Sequence, residues 1–146
     1  MVETLRGIHI FAGLCEGCLE NLSSVMQPMS FKAGEEIIKE GETGKSMYMI
    51  ESGSVEVLKW SGDKQIILAQ LDKEEFFGEM ALIDIQKRSA GVKAIVDTVL
   101  YALTNMDLLH LFERDKKCYC IIILNIARDI SRRLRKLDAK YAAISC

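Results

Sequence analysis

Gly78, Glu79 and Arg88 stand close together in the stretch "EEFFGEMALIDIQKRSAGV", residues 74–92, with Ser89 and Ala90 directly after the arginine. These residue types suit the capture of an anion. Glycine lets the backbone come close to a ligand. A short helical turn over residues 79–83 would point amides without intrahelical partners toward a negative group. Arg88 supplies a planar fork that can bond two phosphate oxygens at once. Ser89 adds a hydroxyl and the Ala90 N–H a further donor. Glu79 is the odd member, because a carboxylate repels phosphate. It makes sense as the acceptor for a sugar hydroxyl on the same ligand, and phosphate plus sugar in one pocket means a nucleotide.

The remaining reactive side chains form no catalytic set. There is no Ser/His/Asp arrangement or paired-carboxylate site, and His9 and His110 are far apart and expected at helix surfaces. Five cysteines, Cys15, Cys18, Cys118, Cys120 and Cys146, show no spacing of a disulfide framework. Cys15-x-x-Cys18 could form half of a metal site, but apolar residues recur around it at helical spacing. Cysteine in such a setting packs as a small hydrophobe, so no metal is expected. An odd number of unframed thiols and the lack of a secretory leader point to the cytoplasm.

What must position the site is one domain of 146 residues. Hydrophobic residues at 49% and charged residues at 27% exclude a disordered chain. A net charge of −2 argues against nucleic-acid binding by the molecule as a whole. The longest apolar run, residues 118–124, is far too short to span a bilayer.

Residues 1–27 read as N-terminal helices. From residue 28 to 104 the chain turns to short β-rich runs, among them "EIIKE", "SMYMIES", "SVEVLKW", "QIILAQL" and "TVLYALT", punctuated by glycine. Many short strands with turn signals predict a sandwich or barrel, with Gly62-Asp63 at a hairpin tip. Residues 105–146 return to a helical pattern. Asn105 or Asp107 is expected to cap a short helix and Asp115 a long one.

In the long helix Ile123, Ala127, Ile130, Leu134, Leu137 and Tyr141 recur at intervals of four and three. That heptad seam predicts a partner, with its first part on the home domain and Ile130, Leu134, Leu137 and Tyr141 joining a second copy. Residues 128–140 carry six basic side chains against two acidic ones. Most such runs are solvated faces. No helix-turn-helix follows, so direct DNA reading is not expected.

The sequence resembles the cyclic nucleotide-binding domain family. The family's phosphate-binding cassette reads F-G-E-[LM]-A-L, about five variable residues, then R-[ST]-A. This chain has Phe77-Gly78-Glu79-Met80-Ala81-Leu82, five residues, then Arg88-Ser89-Ala90. Upstream, "FKAGEEIIKEGETGKSMYMIESGSVEV" resembles the family's glycine-marked β-roll. The likeness covers about residues 8–141. Lys87 stands where proline is frequent, and Gly91 where a larger residue is usual.

The resemblance implies a mainly β fold with flanking helices (α+β): an antiparallel β-roll or jelly roll, residues 28–104 with its cassette at 77–90, between N-terminal helices and a long C-terminal helix. It implies that Arg88 clamps a cyclic phosphate and that Glu79 accepts from the ribose 2′-OH. Gly78, Ala81, Ser89 and Ala90 would line the phosphate, with Met80 and Leu82 completing the cassette's turn. Matching on "RRL" places Leu137 and Asp138 near the purine. Serine after the arginine favours cAMP over cGMP. The reading is a stand-alone, non-enzymatic sensor in which phosphate capture reorders the cassette and moves the terminal helices toward a downstream partner. A redox or metal sensor using Cys15 and Cys18, or a ligand-free dimerisation scaffold, are the alternatives on the same fold.

Overall fold

A computed structural model describes residues 1–145; Cys146 lies outside the described residues. The chain opens with helix α1 (Val2–Arg6), a single 3-10 turn (His9–Phe11) and helix α2 (Glu16–Val25). Eight strands follow: β1 (Gln27–Phe31), β2 (Glu36–Ile38), β3 (Ser46–Ser52), β4 (Val55–Ser61), β5 (Lys64–Leu71), β6 (Phe76–Phe77), β7 (Gly91–Ala94) and β8 (Thr98–Thr104). The chain then closes with helices α3 (Asn105–Arg114) and α4 (Lys116–Ser145). The strands form two antiparallel four-stranded sheets, ordered β1-β8-β3-β6 and β2-β7-β4-β5. This is the mainly β roll with flanking helices that the sequence predicts.

Period-two alternation in β3 explains how the layers stack. Met47 and Met49 point to the helical side and join Leu103, Leu5, Phe11, Leu108 and Ile122 in one core. Ile50 points the other way and joins Leu100, Val55, Phe77 and Val92 between the sheets. The first sheet is therefore covered on both faces. The second has a solvent face, and its edge strand β5 leaves Ile66, Ile67 and Leu68 exposed. The β4–β5 hairpin turns at Gly62-Asp63, where Ser61 pairs with Lys64.

The cap of α3 differs from the expectation. Thr104, not Asn105, is the N-cap, accepting from the Asp107 N–H at 3.0 Å. Asp107 Oδ2 accepts the Thr104 N–H in return at 2.9 Å. Asp107 thus serves as the distal half of a capping box, a role that a single-residue cap signal does not reveal. Asp115 caps α4 as expected, its Oδ1 accepting the Cys118 N–H at 3.1 Å.

The early turns of α4 dock on the domain through Cys118, Ile122 and Ile126, all buried and four residues apart, one helical stripe. Buried Asn125 fixes the helix against the N-terminal segment by donating to the carbonyls of Ile10 and Ala12 at 3.0 and 2.8 Å. Farther on, the helix leaves the roll, and Leu134, Leu137 and Tyr141 are 56%, 59% and 72% exposed. Among the described residues no helix is long and apolar enough to cross a membrane.

One covalent link departs from the sequence expectation. Cys18 of α2 and Cys118 of α4 form a disulfide, with Cα atoms 6.1 Å apart. Their separation of 100 residues hides the pair from any local spacing rule. It is the shared helical core, in which both side chains are buried, that brings them together.

Candidate functional site

The cassette begins where β6 ends. Gly78 adopts φ +80°, a left-handed conformation that glycine takes at no steric cost. A 3-10 turn over Glu79–Leu82 follows, close to the turn expected at 79–83. A side chain at Gly78 would also meet the Ser46 carbonyl at 3.0 Å and Arg88 Nη1 at 2.9 Å, so the position needs glycine twice over.

Arg88 is held by backbone carbonyls. Its Nη2 donates to Ser46 O at 2.6 Å and its Nη1 to Gly78 O at 3.5 Å. The guanidinium passes close against Gly44, where a Cβ would overlap its Nε and Cζ atoms. Two of five N–H donors are thereby engaged, which fixes the fork while leaving donors for a ligand. The backbone around it is laced to the β2–β3 loop. Gly41 N–H donates to Arg88 O at 2.9 Å, Arg88 N–H to Glu42 O at 2.6 Å, and Gly44 N–H to Gln86 O at 3.1 Å. Lys59 Nζ ties the next residue down through the Ser89 carbonyl at 2.6 Å.

Glu79 is buried at 3% exposure and does not pair with Arg88. Its Oε1 is 2.6 Å from Arg133 Nη1, in the distal half of α4. Arg133 also meets Asp129 at 2.9 Å, one turn back. A cavity of about 380 Å³ opens between the cassette and the second sheet, within the usual range for small-molecule sites. Gly78, Glu79, Met80, Ala81, Arg88, Ser89 and Ala90 line it, with Val57, Ala69 and Leu71 as an apolar wall and Arg133 at its rim. Arg88 and the buried Glu79 carboxylate give its lining charged groups of both signs.

Three of the expected site residues are absent from the lining. Leu82 turns the other way, into the helical core beside Leu108 and Ile122. Leu137 and Asp138, expected at the purine, are exposed on α4 and do not border the cavity. Arg133 borders it instead. At 1.5 Å of rise per residue, four positions displace a side chain about 6 Å along the axis, enough to carry Leu137 clear of the roll.

A model of the cyclic nucleotide-binding domain matches residues 28–115, a span that includes the whole cassette. The chain belongs to the cyclic nucleotide-binding domain family. It is 32% identical to the cyclic AMP receptor protein of Thermus thermophilus over 142 residues, covering 97% of this chain and 64% of that protein. It is 36% identical over 100 residues to the cAMP-dependent protein kinase regulatory subunit of Debaryomyces hansenii, covering 68% of this chain and 21% of that one. In structure, the catabolite activator protein of Thermus thermophilus superposes with a TM-score of 0.83 at 33% identity, over 93% of this chain and 62% of the other. The N-terminal domain of a transcriptional regulator from Streptomyces coelicolor does so at 0.83 and 27%, over 96% and 95%. The chain therefore spans under two thirds of the length of the first two relatives.

In this cyclic nucleotide-binding domain the residues that sequence reading missed are those that hold the named ones. Gly44 and the Ser46 carbonyl shape the seat of Arg88 from the end of the β2–β3 loop and the start of β3, more than 40 residues upstream, and no local motif marks them. Arg133 was visible only as one of six basic residues on α4. Its distinguishing feature, a buried carboxylate opposite, is a tertiary fact.

Proposed function

We propose that this domain is a non-catalytic sensor that binds a cyclic nucleotide, cAMP in preference to cGMP, in the cavity beside the cassette. One observation carries the reading: Arg88, held as an open fork, and buried Glu79 line the same 380 Å³ cavity. The fork takes the cyclic phosphate, Glu79 accepts from the ribose hydroxyl, and the apolar wall of Val57, Ala69 and Leu71 packs the base. Ser89 in place of threonine and the cAMP-linked names of two relatives support cAMP. Calorimetry with cAMP, cGMP and cyclic dinucleotides side by side tests it. Binding of none of them would end the proposal, and tighter binding of cGMP would reverse the selectivity.

The signal runs through Arg133. A ribose hydroxyl and the Arg133 guanidinium compete for Glu79, so ligand entry releases or re-aims the distal half of α4. The amide bonds that lace the cassette to the β2–β3 loop support a movable helix in place of the reordered cassette expected from the sequence. The shift is limited by the ligand's differential affinity for the two helix positions. Because Arg133 is 57% exposed, its pair with Glu79 is worth about 1 kcal/mol or less. Arg133→Ala is therefore expected to tighten cyclic nucleotide binding by up to about 5-fold. Weaker binding on calorimetry would instead make Arg133 a ligand contact.

We further place the sensor in the cytoplasm as a homodimer joined through the seam of Ile130, Leu134, Leu137 and Tyr141, of which Ile130 is half-buried against its own domain and the other three are exposed, passing its state to a downstream protein. Exposed Leu134 and Leu137, regularly spaced on a helix that has left its own domain, support the assembly. Leu134→Glu is expected to yield a monomer on sedimentation, and an unchanged mass would rule the seam out.

A further inference from the structure

Three sulfurs from two distant segments meet where α2 and α4 begin. Cys15 is the N-cap of α2 and Cys18 lies in its first turn. Cys118 lies in the first turn of α4. Their Sγ atoms all lie within 4.8 Å of one another, with Cys15 Sγ 3.4 Å from Cys18 Sγ. Asp115 stands beside them. Its Oδ1 is used in capping α4, which holds Oδ2 at 3.1 Å from Cys118 Sγ and 3.7 Å from Cys18 Sγ. Cys18 and Cys118 are buried, while Cys15 is exposed, so the cluster has a route to solvent. Nucleotide binding uses none of these groups.

We propose that, with the Cys18–Cys118 disulfide reduced, Cys15, Cys18 and Cys118 bind one divalent ion of the zinc class, with Asp115 Oδ2 as the fourth ligand. Each helix start supplies two donors three residues apart, Cys15 and Cys18 from α2, Asp115 and Cys118 from α4. That is the two-plus-two plan of four-coordinate structural sites. Helix N-termini offset part of the negative charge that three thiolates and a carboxylate bring together. Spacing decides how many metal atoms fit. Metal–sulfur bonds of about 2.3 Å set tetrahedral sulfurs about 3.8 Å apart, close to the 3.4 Å between Cys15 and Cys18, and a separation that Cys18 and Cys118 reach only when their disulfide is opened. A cubane iron–sulfur group binds each thiolate to a different iron and spreads them wider.

The disulfide and the ion exclude each other, since both need the sulfurs of Cys18 and Cys118. A phosphine reductant opens the disulfide by passing two electrons to the sulfurs. Water supplies two protons to the thiols and its oxygen to the phosphine oxide. Binding then forms three metal–sulfur bonds as each thiol gives up its proton. The ion ties the N-terminal layer to the helix that carries Arg133, so the site acts on the same output element as the nucleotide without sharing its pocket.

The test uses the full chain, reduced with a phosphine under argon, freed of reductant, and titrated with Co²⁺ and then Zn²⁺. One Co²⁺ per chain is expected, with intense sulfur-to-cobalt charge-transfer absorption and tetrahedral ligand-field bands, both abolished by one equivalent of Zn²⁺. Cys15→Ser and Cys118→Ser should lose the charge-transfer bands, and Cys120→Ser, altered at an exposed thiol on the same helix, should keep them. Should a variant fail to fold, the unaltered protein still decides: Zn²⁺ should shield three of its five thiols from an aromatic disulfide reagent, reversibly with a chelator. Absent tetrahedral bands, an unchanged spectrum in folded Cys118→Ser, or any other number of shielded thiols would overturn the proposal.

Discussion

Arg88→Ala is expected to weaken cyclic nucleotide binding by about 2–5 kcal/mol, the range for truncating one member of a desolvated charge pair. On a dissociation constant that is a loss of about 30-fold to several thousand-fold. The size follows from the seat of the side chain. Two carbonyls already fix the fork, so little side-chain entropy is lost when a phosphate arrives. The partner charge, a phosphodiester, then enters a pocket from which water is largely displaced. Folding should change by only about 1 kcal/mol, because water entering from the cavity can satisfy the carbonyls of Gly78 and Ser46. Arg88→Lys should recover only part of the loss, since an ammonium cannot bond two oxygens in one plane. Calorimetry showing equal affinity in the alanine variant would remove the clamp from the account.

Gly44→Ala should weaken the same ligand by about 10- to 100-fold, or about 1.4–2.7 kcal/mol, at a residue outside the cavity lining. The added methyl would occupy the place of the Arg88 guanidinium and stand 2.7 Å from its Cδ. Arginine is long and rotatable, so the conflict is relieved by moving the fork rather than by breaking the fold. The bond to Ser46 is lost, and the donors no longer point where the phosphate sits. A double-mutant cycle isolates this route. In an Arg88→Ala background the second substitution should change affinity by less than about 3-fold. The same large drop in both backgrounds would show that Gly44 acts by another path.

The roll and the cassette were legible because their signals are local. Period-two runs, glycine punctuation and the Phe77–Ala90 pattern all lie within short windows, and β2–β5, β7, β8 and the 3-10 turn fall where those windows put them, while the two-residue β6 and most of β1 carried no such signal. The supports of the site were not, for they are relations between windows. Ser46 reaches Arg88 through a carbonyl that every residue possesses. Glu79 meets Arg133 across 54 positions, and Leu137 and Asp138, to which the match on "RRL" pointed, lie about one helical turn beyond the residue that borders the cavity. The Cys18–Cys118 pair was hidden for the same reason: each cysteine alone reads as a small core residue. Thr104 shows a milder form, since a capping box needs two residues recognised together.

The three amide bonds that lace the β2–β3 loop to the residues around Arg88 also bear on kinetics. A phosphate-binding wall that stands in place before arrival adds no slow folding step to association. Encounter and orientation then set the on-rate, which varies little among related complexes. Differences between one purine and another would accordingly be written in residence time, as slower or faster escape from the same ready-made berth.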